Sequence, residues 1–201
     1  TDKAVNPANV MGASKRLGEQ VLLTRAPAGT RFCAVRFGNV LGSRGSVLTA
    51  FEAQVAAGGP LTVTHASATR YFMTVQEAVQ LVIQAGAIGG GGEALVLDMG
   101  EPVSVMEVAR RLASSSDHAI DIVQTGLRPG EKVHEALFGR DEQARPTDHP
   151  LITSVAVAPL DAADLEGLDP HAPVEVVTES LRRAARQESA RPAPVRGVPE
   201  P

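Results

Sequence analysis

The chain has 201 residues, 43% hydrophobic and 21% charged, enough for one sizeable core and ordinary for a globular protein. Its net charge of −4 gives no electrostatic reason to expect nucleic acid or an anionic membrane surface as a partner. A single cysteine, Cys33, excludes an internal disulfide, and no apolar run approaches the roughly 20 residues that span a bilayer.

The chain therefore reads as reduced and cytoplasmic, with no membrane segment. Aromatic residues are only 3% and Trp is absent, so the core must be built from Val, Leu, Ala and Ile, which suits helices stacked on a parallel sheet.

In chain order, "NPANVMGASKRLGEQVLLT" predicts a helix, with Asn6 as its cap, Pro7 in its first turn and Val10, Leu17 and Val21 as its apolar stripe. "RFCAVRFGNVLG" predicts a buried strand ending in a glycine-bearing loop, with Cys33 as a buried, inert thiol. "SVLTAFEAQVAAGG" predicts an amphipathic helix stopped by Gly58 and Gly59. "PLTVTH" follows as a short edge strand and "TVQEAVQLVIQAGA" as a third helix, with Met73 just before it as a core residue.

"EALVLDMG" predicts a strand, and "SVMEVARRLASSS" a helix opened by a capping box of Ser104 and Glu107. "AIDIVQTG" predicts another strand, "RPGEKVHEALF" a turn entering a short helix, and "PVEVVTESLRRAARQE" the last helix. Residues 1–186 are expected to form one catalytic and substrate-binding portion, and residues 187–201 a disordered Pro-rich tail. Strands alternating with helices predict an α/β fold with parallel pairing.

Gly89–Gly92 could pass for a phosphate-cradling loop, but the run precedes a strand. A dinucleotide loop follows a strand and opens a helix, so these glycines predict a plain connection. The five histidines have no metal-ligand spacing, and no metal site is expected.

Met11 and Lys15 stand four apart and share one helix face. "TDK" lies just upstream, where a strand ending before Ala4 would leave it at the carboxyl edge of the sheet, the edge where open α/β sheets place their chemistry. Here the sequence resembles the extended short-chain dehydrogenase/reductases, and within them the UDP-N-acetylglucosamine 4,6-dehydratases of surface polysaccharide, capsule, O-antigen and glycan biosynthesis. The resemblance rests on "TDKAVNPANVMGASKR", in which Met11 stands where most of the superfamily has Tyr. It also rests on "RFGNVLGSRGSV", "LTVTH", "TRYFMT", "VLDMGEPV" and "TGLRPGEK", in the family's order over residues 1 to about 138.

The resemblance implies a doubly wound, Rossmann-type sheet with a small substrate-binding subdomain. It also implies that this is the C-terminal portion of a larger enzyme whose dinucleotide-binding half lies upstream, so the isolated chain is expected to be marginally stable and inactive. NAD or NADP is the implied cofactor, with Lys15 and Phe37 beside it. Asp2 would be the acid at C6 of the sugar and Lys3 the base at C5, made neutral by burial next to Lys15. Thr1 would hydrogen-bond the C4 oxygen, and Met11 would shape the pocket.

A UDP-sugar is the implied substrate. Arg70 and Arg128 would hold its diphosphate, Asn39 and Arg44 would approach the phosphates, Glu131 would take the ribose, and Thr62, Val63 and Thr64 would flank the uracil. The complete enzyme is expected to be a homo-oligomer, placed in the cytoplasm or at the cytoplasmic face of the inner membrane. A 4-epimerase or 5-epimerising dehydratase of the same fold, and a non-catalytic UDP-sugar-binding remnant, stand as alternatives.

Overall fold

The computed structural model describes residues 1–24, 29–43, 45–158, 160, 168–169 and 171–186; the predicted tail from residue 187 lies outside them. After a single 3-10 turn, Asp2–Ala4, the elements are α1 (Val10–Thr24), β1 (Cys33–Arg36), β2 (Asn39–Val40), α2 (Val47–Ala56), β3 (Leu61–Val63), β4 (Thr69–Arg70) and β5 (Phe72–Met73). They continue as α3 (Val75–Ile88), β6 (Glu93–Leu97), β7 (Val103–Ser104), α4 (Val105–Ser114), β8 (Ile122–Gln124), β9 (Ala144–Pro146), β10 (Ile152–Ala156) and α5 (Val174–Arg186).

The main sheet has the order β1–β6–β10–β9. β1 and β6 run parallel, with Val35 opposite Leu95, as the α/β reading requires. β10 pairs antiparallel with both β6 and β9; β6 was expected from the sequence, β9 and β10 were not. One face of the sheet, through Leu95, Leu97 and Ile152, packs on Leu81 and Ala85 of α3 and buries Met73, as predicted. The other face, through Ala94, Val96 and Val155, meets Leu23 of α1. Helices α1 and α5 pack together through Ala13 and Leu17 against Ala184 and Ala185. A second, smaller core joins α2 and α4 to the parallel pair β3–β8 through Phe51, Leu61, Val63, Met106 and Ala109.

Several local expectations are corrected. Asn6 does not cap α1; it takes φ 43°, the left-handed region that Asn tolerates, and turns the chain. Asn9 caps instead, its Oδ1 accepting from Gly12 N at 2.9 Å. Leu17 is buried, but Val21 is 36% exposed, because the buried face of α1 runs through Ala13, Leu17 and Gln20. Ser104 caps α4 by accepting from Glu107 N at 3.3 Å, yet Glu107 does not reach back; it pairs with Arg111 at 2.5 Å. The reciprocal box occurs on α3, between Thr74 and Glu77.

The helix expected after the "RPGE" turn is absent. The Lys132 and Val133 carbonyls instead accept from Arg70, and Val133 O also accepts from Thr69 N, so a tertiary contact stands in place of a helical ladder. Cys33 packs partly buried beside α3; burial, then the Glu93 charge, push its thiol up, in keeping with an unreactive side chain. Gly89–Gly92 connect α3 to β6 and open no helix.

An unforeseen ionic network ties α1 to the sheet. Arg36, 0% exposed at the end of β1, donates to Glu19 (Nε–Oε2 2.9 Å, Nη2–Oε1 2.5 Å) and to Glu142 (Nη1–Oε2 2.6 Å, Nη2–Oε1 2.8 Å). Arg16 reaches the same two carboxylates at 2.7 and 3.2 Å. Burial alone would lower the Arg36 pKa, but the hydrogen bonds to Glu19 and Glu142 and their charges outweigh it and hold the guanidinium firmly protonated.

Candidate active site

Thr1 to Lys3 lie beside the carboxyl end of β1: the Thr1 nitrogen donates to Val35 O at 2.8 Å and Asp2 N to Phe37 O at 3.1 Å. This is the sheet edge anticipated from the topology of open α/β folds. The tight turn is held by the Thr1 hydroxyl, which accepts from Lys3 N at 3.3 Å. Gly12 leaves room for it, since a Cβ there would stand 2.8 Å from Lys3 O.

A cleft of about 690 Å³ opens over this turn. Of the residues singled out from the sequence, Thr1, Asp2, Lys3, Met11, Asn39, Arg70, Arg128 and Glu131 line it. Lys15, Phe37, Thr62, Val63 and Thr64 do not. Lys15 is exposed one turn beyond Met11, and Phe37 packs against the core under α3. Val63 is buried in the small core. Thr62 is held by Gln54, whose Nε2 donates to its hydroxyl at 2.7 Å, while the Thr64 hydroxyl donates to Glu131 at 2.8 Å. Arg44 lies outside the described residues.

The surroundings of Lys3 differ from the expectation. Its Nζ, expected to be neutralised by burial, is set between two carboxylates, Asp2 Oδ2 at 3.1 Å and Glu135 Oε1 at 2.9 Å, which favour the ammonium. Asp2 is 2% exposed, so its carboxylate depends on this partner for compensation. Burial by itself would raise the Glu135 carboxyl, but the hydrogen bond from Lys3 and the charges of Lys3, Lys132 and Arg70 hold it below the usual carboxylate range.

The opposite wall is the turn Arg128–Glu131. Gly130 takes φ 75°, and a Cβ there would stand 2.8 Å from Ala8 O and 2.9 Å from Asn9 Cβ, so the turn presses directly on the start of α1. Asn9 Nδ2 donates to Gly130 O at 3.0 Å and Lys132 Nζ to Val5 O at 2.6 Å. Arg70 is largely committed to the carbonyls of Thr69, Lys132 and Val133, at 2.7–3.1 Å, with Glu131 at 3.5 Å. Arg128 is different: it is exposed at the rim, and among the described residues its guanidinium has no hydrogen-bond or ion-pair partner.

Across from it the N-terminus of α2, capped by Ser46, faces the cleft. A free guanidinium opposite the positive end of a helix suits an anion.

Asn9, Lys132 and Glu135 were not foreseen as site residues. The signal for the last two was present as a Lys followed three residues later by Glu, directly after a turn rich in cations. The expected helix obscured it. Among the described residues, no group of three or more His, Cys, Asp or Glu side chains could hold a metal ion, and no helix is long and apolar enough to cross a membrane.

A parallel β1–β6 pair with an acid, an amine and a hydroxyl at its carboxyl edge, facing an anion-suited turn, defines a Rossmann-type short-chain dehydrogenase/reductase-like protein. The family model described as "Polysaccharide biosynthesis protein" matches residues 1–157, and the chain belongs to that family. The capsular polysaccharide biosynthesis protein CapD of Staphylococcus aureus is 54% identical over 147 residues, covering 71% of this chain and 24% of CapD. A UDP-glucose 4-epimerase of Rickettsia massiliae is 38% identical over 170 residues, 82% of this chain and 48% of the epimerase. The crystal structure of Pen from Bacillus thuringiensis superposes with a TM-score of 0.70 at 34% identity, covering 77% of this chain and 50% of Pen. The chain thus spans about a quarter to a half of the length of these relatives.

Proposed function

We propose that this chain carries the sugar-reacting and diphosphate-holding part of a nucleotide-sugar 4,6-dehydratase that converts UDP-N-acetylglucosamine to a 4-keto-6-deoxy sugar for surface polysaccharide. The observation that carries the reading is the buried Asp2 carboxylate 3.1 Å from the Lys3 amine in one cleft, with the non-ionisable Met11 on the same wall. An epimerase has no need of an acid for the C6 hydroxyl; a dehydratase does.

Elimination across C5 and C6 calls for one group to take the C5 proton while another gives a proton to the departing C6 hydroxyl. A proton passed from Lys3 to Asp2 along their 3.1 Å contact turns the resting ion pair into a neutral amine and a carboxylic acid. The amine then removes the C5 proton as the acid protonates the leaving hydroxyl, and the ion pair is restored. Lys3 afterwards returns a proton to C5; the proton that the C4 hydroxyl gives up on oxidation, passed through the Thr1 hydroxyl, restores the Lys3 ammonium, so the net change is loss of one water. Thr1, whose hydroxyl lies in the same turn, hydrogen-bonds the C4 oxygen.

NAD or NADP would supply the redox chemistry, accepting hydride from C4 and returning it to C6. Lys15, exposed beside the site and without a partner among the described residues, fits a hydrogen bond to its ribose. Arg128 and the α2 N-terminus would hold the diphosphate.

The test is product analysis with the full-length protein and UDP-N-acetylglucosamine. A C6 methyl doublet in the proton spectrum supports dehydration, and Asp2→Asn should abolish it. A product that keeps its C6 hydroxyl would defeat the reading and favour the second one, a 4-epimerase. That second reading has the Rickettsia relative in its support.

A further inference from the structure

Several charged groups of the cleft have no part in the scheme above, and Glu135 is the one that touches Lys3. Glu135 is the most enclosed acid on the wall after Asp2, its side chain 6% exposed, and it comes from a segment remote in sequence from Lys3. The chain leading into it is fixed from outside: Thr69 N donates to Val133 O at 3.0 Å, and Arg70 binds the carbonyls of Lys132 and Val133. Its two oxygens face two amines, Oε1 at 2.9 Å from Lys3 Nζ and Oε2 at 3.3 Å from Lys132 Nζ. The second contact is an ion pair without hydrogen-bond geometry, because Lys132 aims its ammonium at Val5 O, 2.6 Å away.

We propose that Glu135 is a positioning residue for the Lys3 amine. Braced by Lys132, it fixes the amine between itself and Asp2 and keeps a proton on Lys3 in the interval between its removal from C5 and its return there. The inference rests on the reading of Lys3 as the C5 base. A Lys side chain has four rotatable bonds and a flexible stem, and one carboxylate at 3.1 Å leaves most of that freedom in place. A second carboxylate, in ion-pair contact at 2.9 Å, restrains the nitrogen further and leaves N–H capacity for the sugar.

Glu135 also serves the transferred proton without competing for it. Its carboxyl is held below the usual range by its cationic neighbours, with burial opposing, so it stabilises an ammonium and is a poor base itself. The proton that leaves C5 therefore stays on Lys3, within reach of C5.

Two measurements test this. In this chain, carboxyl carbon NMR should show the Glu135 titration midpoint rising by about one pH unit in Lys3→Met, the size expected when an adjacent opposite charge is removed. An unchanged midpoint would show that the two groups do not meet in solution and would overturn the proposal. In the full-length protein, Glu135→Gln should lower kcat for dehydration at least about ten-fold, with KM for the UDP-sugar changed by less than about three-fold. Unchanged kcat, or a rise in KM alone, would overturn it. Should the wild type make no 4-keto-6-deoxy sugar, the dehydratase reading fails, but the Lys3→Met titration still decides whether Glu135 is tied to Lys3. That titration also leaves Glu135 in place, so it decides the matter if Glu135→Gln does not fold.

Discussion

Replacing Arg36 with Met tests the electrostatic commitment of a guanidinium that is wholly buried at the end of β1. The side chain is 0% exposed and makes four hydrogen bonds to Glu19 and Glu142, whose side chains are 5% and 11% exposed. Counting each bond at the about 1.5–3 kcal/mol of a charged pair would overshoot, because desolvation of the guanidinium and both carboxylates offsets much of the gain. The asymmetric cost is the better guide: removing one partner strands the others, at about 3–5 kcal/mol. Arg16 remains to compensate two carboxylates alone, which places the expectation toward the lower half of that range. Met fills the hole with apolar volume, so the loss is charge and not cavity.

The pH dependence separates this cause from a packing defect. Glu142 lies below its usual 4.5: burial opposes the shift, but the hydrogen bonds and charge of Arg36 overcome it. A carboxylate depressed in the folded state contributes stability that is fully present above its unfolded value and drains away as pH falls through the folded one. Arg36→Met removes most of that depression. The gap between wild type and variant, measured by urea unfolding, should therefore be full at pH 7 and shrink below about pH 4.5. Double replacement, Arg36→Met with Glu142→Gln, leaves Arg16 paired with Glu19 at 2.7 Å and should recover much of the loss. A variant within about 1 kcal/mol of wild type at pH 7, or a gap that is constant down to pH 3, would refute the reasoning.

Three further outcomes follow from the site. Arg128→Ala should weaken UDP binding about ten-fold or more by calorimetry with almost no change in melting temperature, since its guanidinium is exposed and unpaired; unchanged affinity would remove it from the anion site. Gly130→Ala should lower both stability and UDP affinity, because a Cβ at φ 75° would meet Ala8 O at 2.8 Å; a variant as stable as wild type would mean the turn does not press on α1 as described. In the full-length protein, Lys3→Ala should abolish release of the 6-deoxy product while UDP affinity stays within about three-fold, and retained turnover would exclude Lys3 as the base.

What the sequence made legible is what local physics decides. The α4 start follows from a hydroxyl cap, Ser104, that satisfies an amide three residues on, and α3 and Met73 follow from apolar spacing. The carboxyl-edge position of Thr1–Lys3 follows from a motif placed before an amphipathic helix. What stayed hidden was set by partners far along the chain. β10 has a strand composition in Ile152, Thr153 and Val155, but its role depends on finding β6, and β9 carries little signal of its own. Arg36 sits in a run that reads as apolar, and only the approach of Glu19 and Glu142 makes its burial tolerable. The segment after Gly130 has a helix-like pattern that loses to Arg70, a donor about 60 residues upstream that competes for its carbonyls.

That competition explains how the two halves of the cleft are kept in register. The motif that would react with the sugar and the turn that would hold the diphosphate are joined at three points: Asn9 to Gly130 O, Lys132 to Val5 O, and Glu135 to Lys3. A helix at 131–138 would have satisfied its own backbone and turned Lys132 and Glu135 onto one surface of itself. As irregular chain pinned by Arg70, the segment instead lays successive side chains across the start of α1. Arg70, expected with Arg128 to hold the diphosphate, spends its guanidinium on the carbonyls that hold this segment open, which leaves Arg128 as the exposed guanidinium for the proposed anion. Mutating Arg70 should therefore loosen Lys3 and Arg128 together, and mutating Arg128 should disturb Arg128 alone.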